Sequence, residues 1–455
     1  MEPQSFAPQE NKTKRKKSPV STLTLKIVLT AVLILVLMIP VTMVKGLIEE
    51  RSQTASEAIS EVQKKWSTPQ TINGPILIIP YYKNIQNSDM TISKIKSNYY
   101  ILPELLNIEG NVETEDLRRG LYDIVVYRTQ LTLSGNFSLE KLIKENISPQ
   151  NLILNQARLV IGITDLRGIT EQVSGKFGNQ ALSFDSGVDD DIISSGVSSP
   201  LNVSYEKNDA DTHIPFSIQL RLKGSEKIDF TPIGSTTTAT LQSNCTTPSF
   251  DGAYLPEERE VTEKGFSATW KILDLNRNYP QLFTGESWSE SIQESTFGTN
   301  LLLPVDQYQK STRSVKYASM IIILFFVICF FTEILQKKNI HPFQYLLIGL
   351  AICLFYTMLV ALSEHFNFTL SYAIATCMTI VLLTSYLGGI LKAKKTAATI
   401  GALLLLLYIY VFVLIQMETF ALLVGSIGLF IILAMIMYCS LKINWNSTGE
   451  EINNI

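Results

Sequence analysis

Four ionisable side chains lie at the edges of long apolar segments, where a charge is costly and therefore informative. They are Glu333, Glu364, His365 and Glu418. A charged group close to lipid predicts a function in ion binding, proton transfer or ion pairing. Glu333 and Glu418 also lie within one helical turn of the end of an apolar run, so the alternative is that they extend into the interface and only anchor the helix. The sequence leaves both interpretations open.

Glu364 and His365 form a short polar loop between two apolar segments. Arg313 and Lys316 lead into an apolar segment on the same predicted side of the membrane. We therefore predict that Glu364 pairs with one of these two cations, and that this loop couples the long polar region to the apolar helices. Such a pair would be partly desolvated and stronger than an exposed pair, which contributes about 0–1 kcal/mol.

Motifs for catalysis, nucleotide binding and metal binding are missing from the sequence. One short motif, Gly425-Ser426-Ile427-Gly428, resembles the site of an intramembrane serine nucleophile, but no histidine lies near it in sequence to act as the base. Small residues at this spacing instead favour close helix packing. His341 and His365 are expected at opposite edges of the membrane, about 30 Å apart, too far to share a metal ion. We predict no enzyme activity, cofactor or metal, and keep His341 as a candidate functional polar residue.

Composition indicates a membrane protein. Of the 455 residues 46% are hydrophobic and only 17% are charged, and the mean hydropathy is +0.19. Soluble proteins carry about 25% charged residues. The net charge of -3 and the lack of a basic globular segment argue against nucleic-acid binding. Of the five cysteines only Cys245 lies in a polar region, so no internal disulfide framework is expected.

Apolar runs predict six membrane-spanning helices. Crossing roughly 30 Å of hydrocarbon needs about 20 residues at 1.5 Å each. The last run, residues 396–441, is about twice that length and carries only Glu418, so the chain must turn near this residue. The predicted spans are residues 23–45, 317–336, 342–363, 367–391, 396–416 and 419–441.

Basic residues predict the orientation in the membrane. A cluster of cations in residues 1–22 precedes an apolar run that is long for a signal peptide and is not followed directly by a small-residue cleavage site. We interpret the run as an uncleaved signal anchor rather than a cleaved signal peptide. The positive-inside rule then puts residues 1–22 and 442–455 in the cytoplasm and residues 46–316 outside. Lys338 and Lys392 also fall inside, in agreement with that rule.

The long polar region has the pattern of a β domain. Residues 46–66 lack proline and are predicted to continue the first helix, and from about residue 70 apolar and polar residues alternate. Alternation predicts antiparallel sheets with one buried face, and is clearest at Phe216, Ile218, Leu220 and Leu222. Residues 186–200, rich in Ser, Gly and Asp, predict a mobile loop. The fold class is therefore an α+β membrane protein with an N-terminal signal-anchor helix, a large β-rich extracytoplasmic domain and a C-terminal bundle of five transmembrane helices.

A series of different short motifs occurs in a defined order along most of the chain. They include Gly74-Pro75, Arg119-Gly120, Asp165-Leu166-Arg167-Gly168, Pro304-Val305-Asp306, His341-Pro342 and Ser363-Glu364-His365. On these motifs the chain resembles the CreD-type bacterial inner membrane proteins from residue 66 to residue 441. One departure is Asn244-Cys245, where that family typically has Ser-Trp. The resemblance implies a protein of the bacterial cytoplasmic membrane that supports envelope integrity or an envelope stress response, linked in some bacteria to the β-lactam response, with no established catalytic activity.

Two functions of different classes follow from these features. The first is a non-enzymatic envelope protein, whose outer β domain binds a cell-wall or lipid component or an envelope protein while the helices contact the lipid bilayer. The alternative is a transporter or lipid-handling protein that uses the glutamates at the edges of the bundle. The helices lack the paired midplane charges and the Gly/Pro-broken segments of a typical transport site, which favours the first function.

Overall fold

The computed structural model describes residues 22–86, 92–145, 147, 149–188, 190, 192–203, 213–301, 306–336, 338–417 and 420–441. The chain divides into two compact units. The helical unit contains Met1–Gln53 and Val305–Ile455, and the β unit is Thr54–Pro304. The two terminal tails predicted to be cytoplasmic lie outside the described residues.

Strands account for most of the β unit. In chain order the described strands are β1 (Gln70–Gln86), β2 (Ile92–Ile101), β3 (Leu105–Arg119), β4 (Tyr122–Ser138), β5 (Arg158–Ile163), β6 (Ser174–Phe177), β7 (Gln180–Ser183), β8 (Asp185–Ser186), β9 (Gly196–Pro200), β10 (His213–Ser225), β11 (Lys227–Phe230), β12 (Thr236–Ser243), β13 (Ser249–Gly252), β14 (Glu258–Thr262), β15 (Gly265–Leu273), β16 (Leu282–Thr284) and β17 (Phe297–Asn300).

These strands form two sheets. The nine-stranded sheet has the order β13-β17-β11-β1-β5-β9-β8, with β2 on β1 and β16 on β2. The eight-stranded sheet has the order β14-β15-β12-β3-β4-β10-β6-β7. Neighbours are antiparallel except for two parallel pairs, β1 with β11 and β3 with β12. Because both parallel pairs join strands that are distant in sequence, the intervening chain has the length that a parallel crossover needs.

One hydrophobic core serves both sheets, as the alternation predicts. Phe216, Ile218 and Leu220 on β10 are buried, while the residues between them are exposed. Trp270 on β15 is fully buried and packs against Phe250 and Phe297 with ring centroids 5.8 and 5.6 Å apart. This continuous cluster is what allows the β unit to fold as a single compact body.

The segment of residues 186–200, predicted to be a mobile loop, joins the first sheet at both ends, where Ser186 lies in β8 and residues 196–200 form β9. Strand β9 pairs with β5 along its whole length, and β8 pairs with β9. Composition misled the prediction because Ser and Gly are typical of loops, whereas here Gly196 lies so close to β5 that a Cβ atom would meet the carbonyl oxygen of Ile161. A buried strand next to another backbone can require such small residues.

Helices make up the other unit. The described α-helices are α1 (Thr22–Lys65), the short α2 (Glu140–Lys144) and α3 (Ser289–Glu294) of the β unit, α4 (Asp306–Lys316), α5 (Ala318–Gln336), α6 (Pro342–Ser363), α7 (Phe368–Leu391), α8 (Lys394–Gln416) and α9 (Ala421–Leu441). Six of these, α1 and α5 to α9, are long and apolar enough to cross a membrane. The helical and β-sheet content, the N-terminal apolar helix and the C-terminal bundle confirm the α+β architecture of the predicted fold class.

Two helices bear on the predicted boundaries. Helix α1 is one continuous helix of 44 residues, so the first helix continues beyond residue 45 as predicted. Helix α4, which was assigned to the β domain of residues 46–316, belongs to the helical unit, and its Ser311 and Val315 are buried there. Helix α4 packs on α6 and α8 in that unit, and its buried residues Tyr308, Ser311, Ser314 and Val315 combine two apolar side chains with two small hydroxyl side chains.

Small residues allow close helix contacts in the bundle. At Gly349 of α6 a Cβ atom would lie 2.1 Å from the Leu37 side chain of α1, so only glycine admits this leucine. In α9 a Cβ atom at Gly428 would lie 2.4 Å from the Tyr410 hydroxyl oxygen, and that hydroxyl donates a 2.9 Å hydrogen bond to the Gly425 carbonyl. The Gly-Ser-Ile-Gly motif therefore packs one helix against another, although none of the residues of α9 is fully buried.

Candidate functional site

Glu333, near the end of α5, is the best defined of the predicted polar residues. Its side chain is only 7% exposed. Carboxylate oxygen Oε1 accepts hydrogen bonds from Lys26 Nζ at 2.6 Å and from the Ile340 amide at 3.3 Å. Oxygen Oε2 accepts one from the Tyr345 hydroxyl at 3.2 Å. A buried carboxylate needs such partners because its charge has lost the stabilisation of water.

Three separate elements bring these partners to Glu333. Lys26 lies in the second turn of α1 and also donates a 2.9 Å hydrogen bond to Asn339 Oδ1. Asn339 belongs to the short turn between α5 and α6, and Tyr345 lies in the first turn of α6. We refer to Lys26, Glu333, Asn339 and Tyr345 as the Glu333 cluster. It fixes the start of α1 to the turn that joins two bundle helices.

His341 has a structural role in the same turn. Its Nδ1 accepts a 3.2 Å hydrogen bond from the Phe343 amide, while the Gln344 side chain accepts a 2.9 Å hydrogen bond from the His341 amide. This is a reciprocal N-cap, and Pro342 follows at the first helical position. The His341 side chain thus begins α6 and holds the turn that carries Asn339.

Glu364 pairs with a residue that the sequence analysis did not select. Arg51 Nε lies 3.7 Å from Glu364 Oε1, and the Glu364 side chain is 13% exposed. Within the described residues, Glu364 therefore forms its ion pair with Arg51. The predicted pairing with Arg313 or Lys316 is not seen there. The reason is the length of α1, which carries Arg51 past the apolar run to the end of α6.

The other candidates are not brought into the Glu333 cluster. His365 is exposed after α6, and its amide donates to the Leu362 carbonyl. Arg313 is half-buried and Lys316 is exposed, both in the last turn of α4. Glu418 lies outside the described residues. Glu333 and Glu364 lie at opposite ends of α6, whose 22 residues span about 33 Å, so they cannot form one site.

Lys26 and Arg51 are the functional-site residues that sequence reasoning missed. Each is a cation on α1 that could have been matched to a glutamate of opposite charge at the same predicted membrane edge. The sequence gives no signal for the pairing itself, because Lys26 and Glu333 are 307 residues apart. Which α1 face meets the bundle is decided by packing, as at Leu37 and Gly349.

A second polar cluster explains the Asp-Leu-Arg-Gly motif of the β unit. Asp165 accepts hydrogen bonds from Arg167 Nη2 at 2.8 Å and Nε at 2.9 Å, and from the Thr68 amide at 3.1 Å. Gln70 bonds both the amide and the carbonyl of Asp165. Burial alone would raise the pKa of Asp165, but the hydrogen bonds from Arg167 and Thr68 outweigh it and lower the pKa to about 2.

Gly168 completes this motif because a Cβ atom there would lie 2.4 Å from Gln70 Nε2. Arg167 also donates to the carbonyl of Lys64, in the last turn of α1. The motif therefore secures the point where α1 ends and the first strand begins. Such a fully bonded polar cluster rigidifies the local structure.

Metal ligation has no candidate in the part of the chain that the structure describes, where no group of three or more His, Cys, Asp or Glu side chains could hold an ion. The five cysteines are unpaired, and Cys245 is buried.

These observations define a class of protein: a multi-pass helical membrane protein that carries a two-sheet β unit. Residues 22–446 match the family model described as "Inner membrane protein CreD". The protein of that name from Escherichia coli (strain K12) is 31% identical over 415 residues, which cover 90% of this chain and 91% of the relative. The chain belongs to the CreD family, and is a multi-pass inner membrane protein.

Solved structures add nothing to this assignment. An M1 zinc metallopeptidase from Deinococcus radiodurans aligns with 41% of this chain and 42% of its own, at 9% identity and a TM-score of 0.18. A likeness at that level carries no argument about fold or activity.

Proposed function

We propose that this chain is a non-enzymatic protein that supports envelope integrity or an envelope stress response through its β unit. In this proposal α1 is an uncleaved signal anchor, both termini are cytoplasmic, and the β unit is on the outer side of the inner membrane. The distribution of charge supports that orientation. Lys338 and Lys392 to Lys395 lie at one set of helix ends, and Glu364 and His365 lie at the other.

The observation that carries the proposal is the state of Glu333. Its two carboxylate oxygens are bonded to Lys26, Ile340 and Tyr345, so the charge is already compensated by fixed partners. The cavity beside it measures about 20 Å³, which is room for about one water molecule. A transport site needs space for its substrate and a carboxylate that can exchange partners. The cluster therefore favours an anchoring role for the helices and leaves recognition to the β unit.

The test is complementation of a strain that lacks the gene. We expect the deletion to increase sensitivity to a cell-wall-directed β-lactam and the release of a periplasmic enzyme, and the parent gene to reverse both. Lys26→Met should complement poorly, since a buried carboxylate without its cation costs about 3–5 kcal/mol. The double variant Lys26→Met/Glu333→Gln should complement like the parent, because removing both charges of a buried pair is tolerated.

The same experiment tests the transporter alternative. If the double variant is inserted at the parent's level but does not complement, the carboxylate itself is required, and the anchoring interpretation is wrong. A deletion strain that keeps normal β-lactam sensitivity and retains its periplasmic enzymes would contradict the envelope role.

A further inference from the structure

A groove of about 310 Å³ opens at one rim of the nine-stranded sheet in the β unit. It lies at the end of β5, where Ile163 pairs with Ile72 of β1, beside the segment before β9 and the end of α3. None of the described residues that line it is charged. The lining is instead rich in hydroxyl and amide side chains, among them Asn73, Ser194, Ser195, Thr231, Gln293 and Thr296. This volume is at the lower end of small-molecule sites, which are about 300–1,000 Å³.

Asn73 gives the groove an unmet hydrogen-bond acceptor. Its Oδ1 is buried and has no hydrogen-bond partner among the described residues. A buried polar atom without a partner is unusual in proteins and calls for an explanation. Asn73 lies where the register between β1 and β5 shifts, before Ile76. Irregularities of this kind redirect side chains and are common next to binding sites.

Two serines and one glutamine add polar side chains to the walls of the groove. Ser194, Ser195 and Gln293 bring two hydroxyls and one side-chain amide to the lining. Ser194 is exposed at the rim, whereas Ile192 and Ile193 are buried and supply apolar surface. A ligand would therefore meet acceptors and donors on one side and an apolar surface on another, as in most small-molecule sites.

Charge decides which chemical class fits. Phosphate headgroups and carboxylates are bound by Arg, Lys or clustered backbone amides, and the described lining has no cation. A cationic ligand would lack a carboxylate partner for the same reason. The groove thus fits a neutral ligand that has hydroxyl and amide groups, donates to Asn73 Oδ1 and presents a small apolar group to the isoleucines.

We infer that this groove binds an N-acetylated sugar unit of a neutral glycan. The N-acetyl group supplies an amide N–H for Asn73 and a methyl group for Ile192 and Ile193, and the ring hydroxyls pair with the serines and Gln293. The inference rests on the proposed function for the location of the ligand, since the cell wall on the outer side of the inner membrane is the source of such glycans.

The test measures binding of chitotriose, a trimer of N-acetylglucosamine, to the full chain purified in detergent. Binding is detected by calorimetry or by saturation-transfer NMR. Cellotriose, which lacks the acetamido groups, is the matched control ligand. We expect chitotriose to bind at least about tenfold more tightly than cellotriose, as one well-placed hydrogen bond is worth about a factor of ten.

Two groove variants and one control variant locate the site. Asn73→Ala should weaken chitotriose binding about tenfold. Ser194→Arg, at the exposed rim, should block the groove without disturbing the core. Asn107→Ala, an exposed asparagine on β3 of the other sheet, should bind like the parent. Thermal unfolding of each variant separates lost binding from lost folding, and Ser194→Arg keeps the test valid if Asn73→Ala is unstable.

The inference is overturned if the parent does not bind chitotriose at millimolar concentration, if cellotriose binds equally well, or if folded Ser194→Arg binds like the parent. Failure of the proposed function would look different. Binding that depends on Asn73, in a protein whose deletion leaves the envelope unaffected, would keep the groove and reject the envelope role. A deletion phenotype that Ser194→Arg reverses fully would keep the envelope role and reject the groove.

Discussion

Individual charged residues in this chain are bound by several partners at once. Glu333 has three hydrogen-bonding partners. The Asp165 carboxylate accepts from the Arg167 side chain and the Thr68 amide, and the Gln70 side chain bonds the Asp165 backbone. In both places a carboxylate holds together segments that are distant in sequence. Removal of the carboxylate is therefore expected to loosen local structure, and each carboxylate can be tested separately.

Asp165 gives the β unit an acid-sensitive contact. Its pKa is lowered from 3.8 to about 2, so the folded state binds its proton more weakly than the unfolded state does. The resulting stabilisation is present above pH 3.8 and is lost as the pH falls toward 2. We expect amide hydrogens of residues 67–70 and 165–168 to exchange faster in Asp165→Asn than in the parent at pH 5.

The pH dependence supplies the check on that expectation. The difference in protection between the parent and Asp165→Asn should shrink between pH 5 and pH 3, because below pH 3.8 the opened state takes up a proton at Asp165 that the folded state still excludes. Asp185→Asn, which changes an exposed carboxylate on β8, is the matched control and should leave protection unchanged at both values. A difference that stays constant with pH would show that Asp165 acts through shape and not through its charge.

At the scale of the elements, helix ends decide how the bundle is connected. Helix α6 begins at a reciprocal cap made by His341 and Gln344, and α7 begins at Asn367, whose side chain accepts from the Leu370 amide. Capping groups satisfy amides that have no partner within the helix. In the turn before α6 the cap also positions Asn339, so a local hydrogen bond supports the longer-range Glu333 cluster.

His341 can be replaced if its role is to cap α6. We expect His341→Ala to destabilise the start of α6 by about 1 kcal/mol and to increase hydrogen exchange at Phe343 and Gln344. His341→Asn should keep the protection of the parent, since asparagine is a good N-cap residue. If His341→Asn fails in the complementation assay while it retains protection at Phe343, then the imidazole has a function that capping does not explain.

At the scale of the whole chain, two compact units share one helix. Residues 22–53 of α1 belong to the helical unit and residues 54–65 to the β unit. Six of the described helices are long and apolar enough to cross a membrane. With residues 54–304 inserted after the first crossing, the orientation of α1 decides on which side of the membrane the β unit lies. The basic loops predict the outer side.

Labelling of single cysteines with a membrane-impermeant reagent tests this orientation. On a variant without the five native cysteines, Glu257→Cys in the β unit should react in intact spheroplasts. Ala393→Cys, in the turn between α7 and α8, should react only after the membrane is opened. The cysteine-free parent measures background. The opposite pattern, with Ala393→Cys labelled in intact spheroplasts, would reverse the proposed orientation.

The sequence by itself determined the number of apolar helices and the β character of the polar region. Transfer of apolar residues into lipid and burial of alternate residues in a sheet are local effects, and each depends on a short window of residues. Helix α6, at Pro342–Ser363, is an example, because its length, its uncharged run and its initial proline are all visible in sequence. The motifs that carry the family resemblance are likewise contiguous.

Only the tertiary structure decided which residues meet. Glu333 contacts Lys26, and Glu364 pairs with Arg51. The serine-rich segment before β9 lines a groove beside Asn73. None of these contacts has a local signal, because each joins elements far apart in sequence and depends on how one helix is rotated or one strand is registered against another. Packing selects that rotation and register from many that have nearly the same hydrophobic pattern.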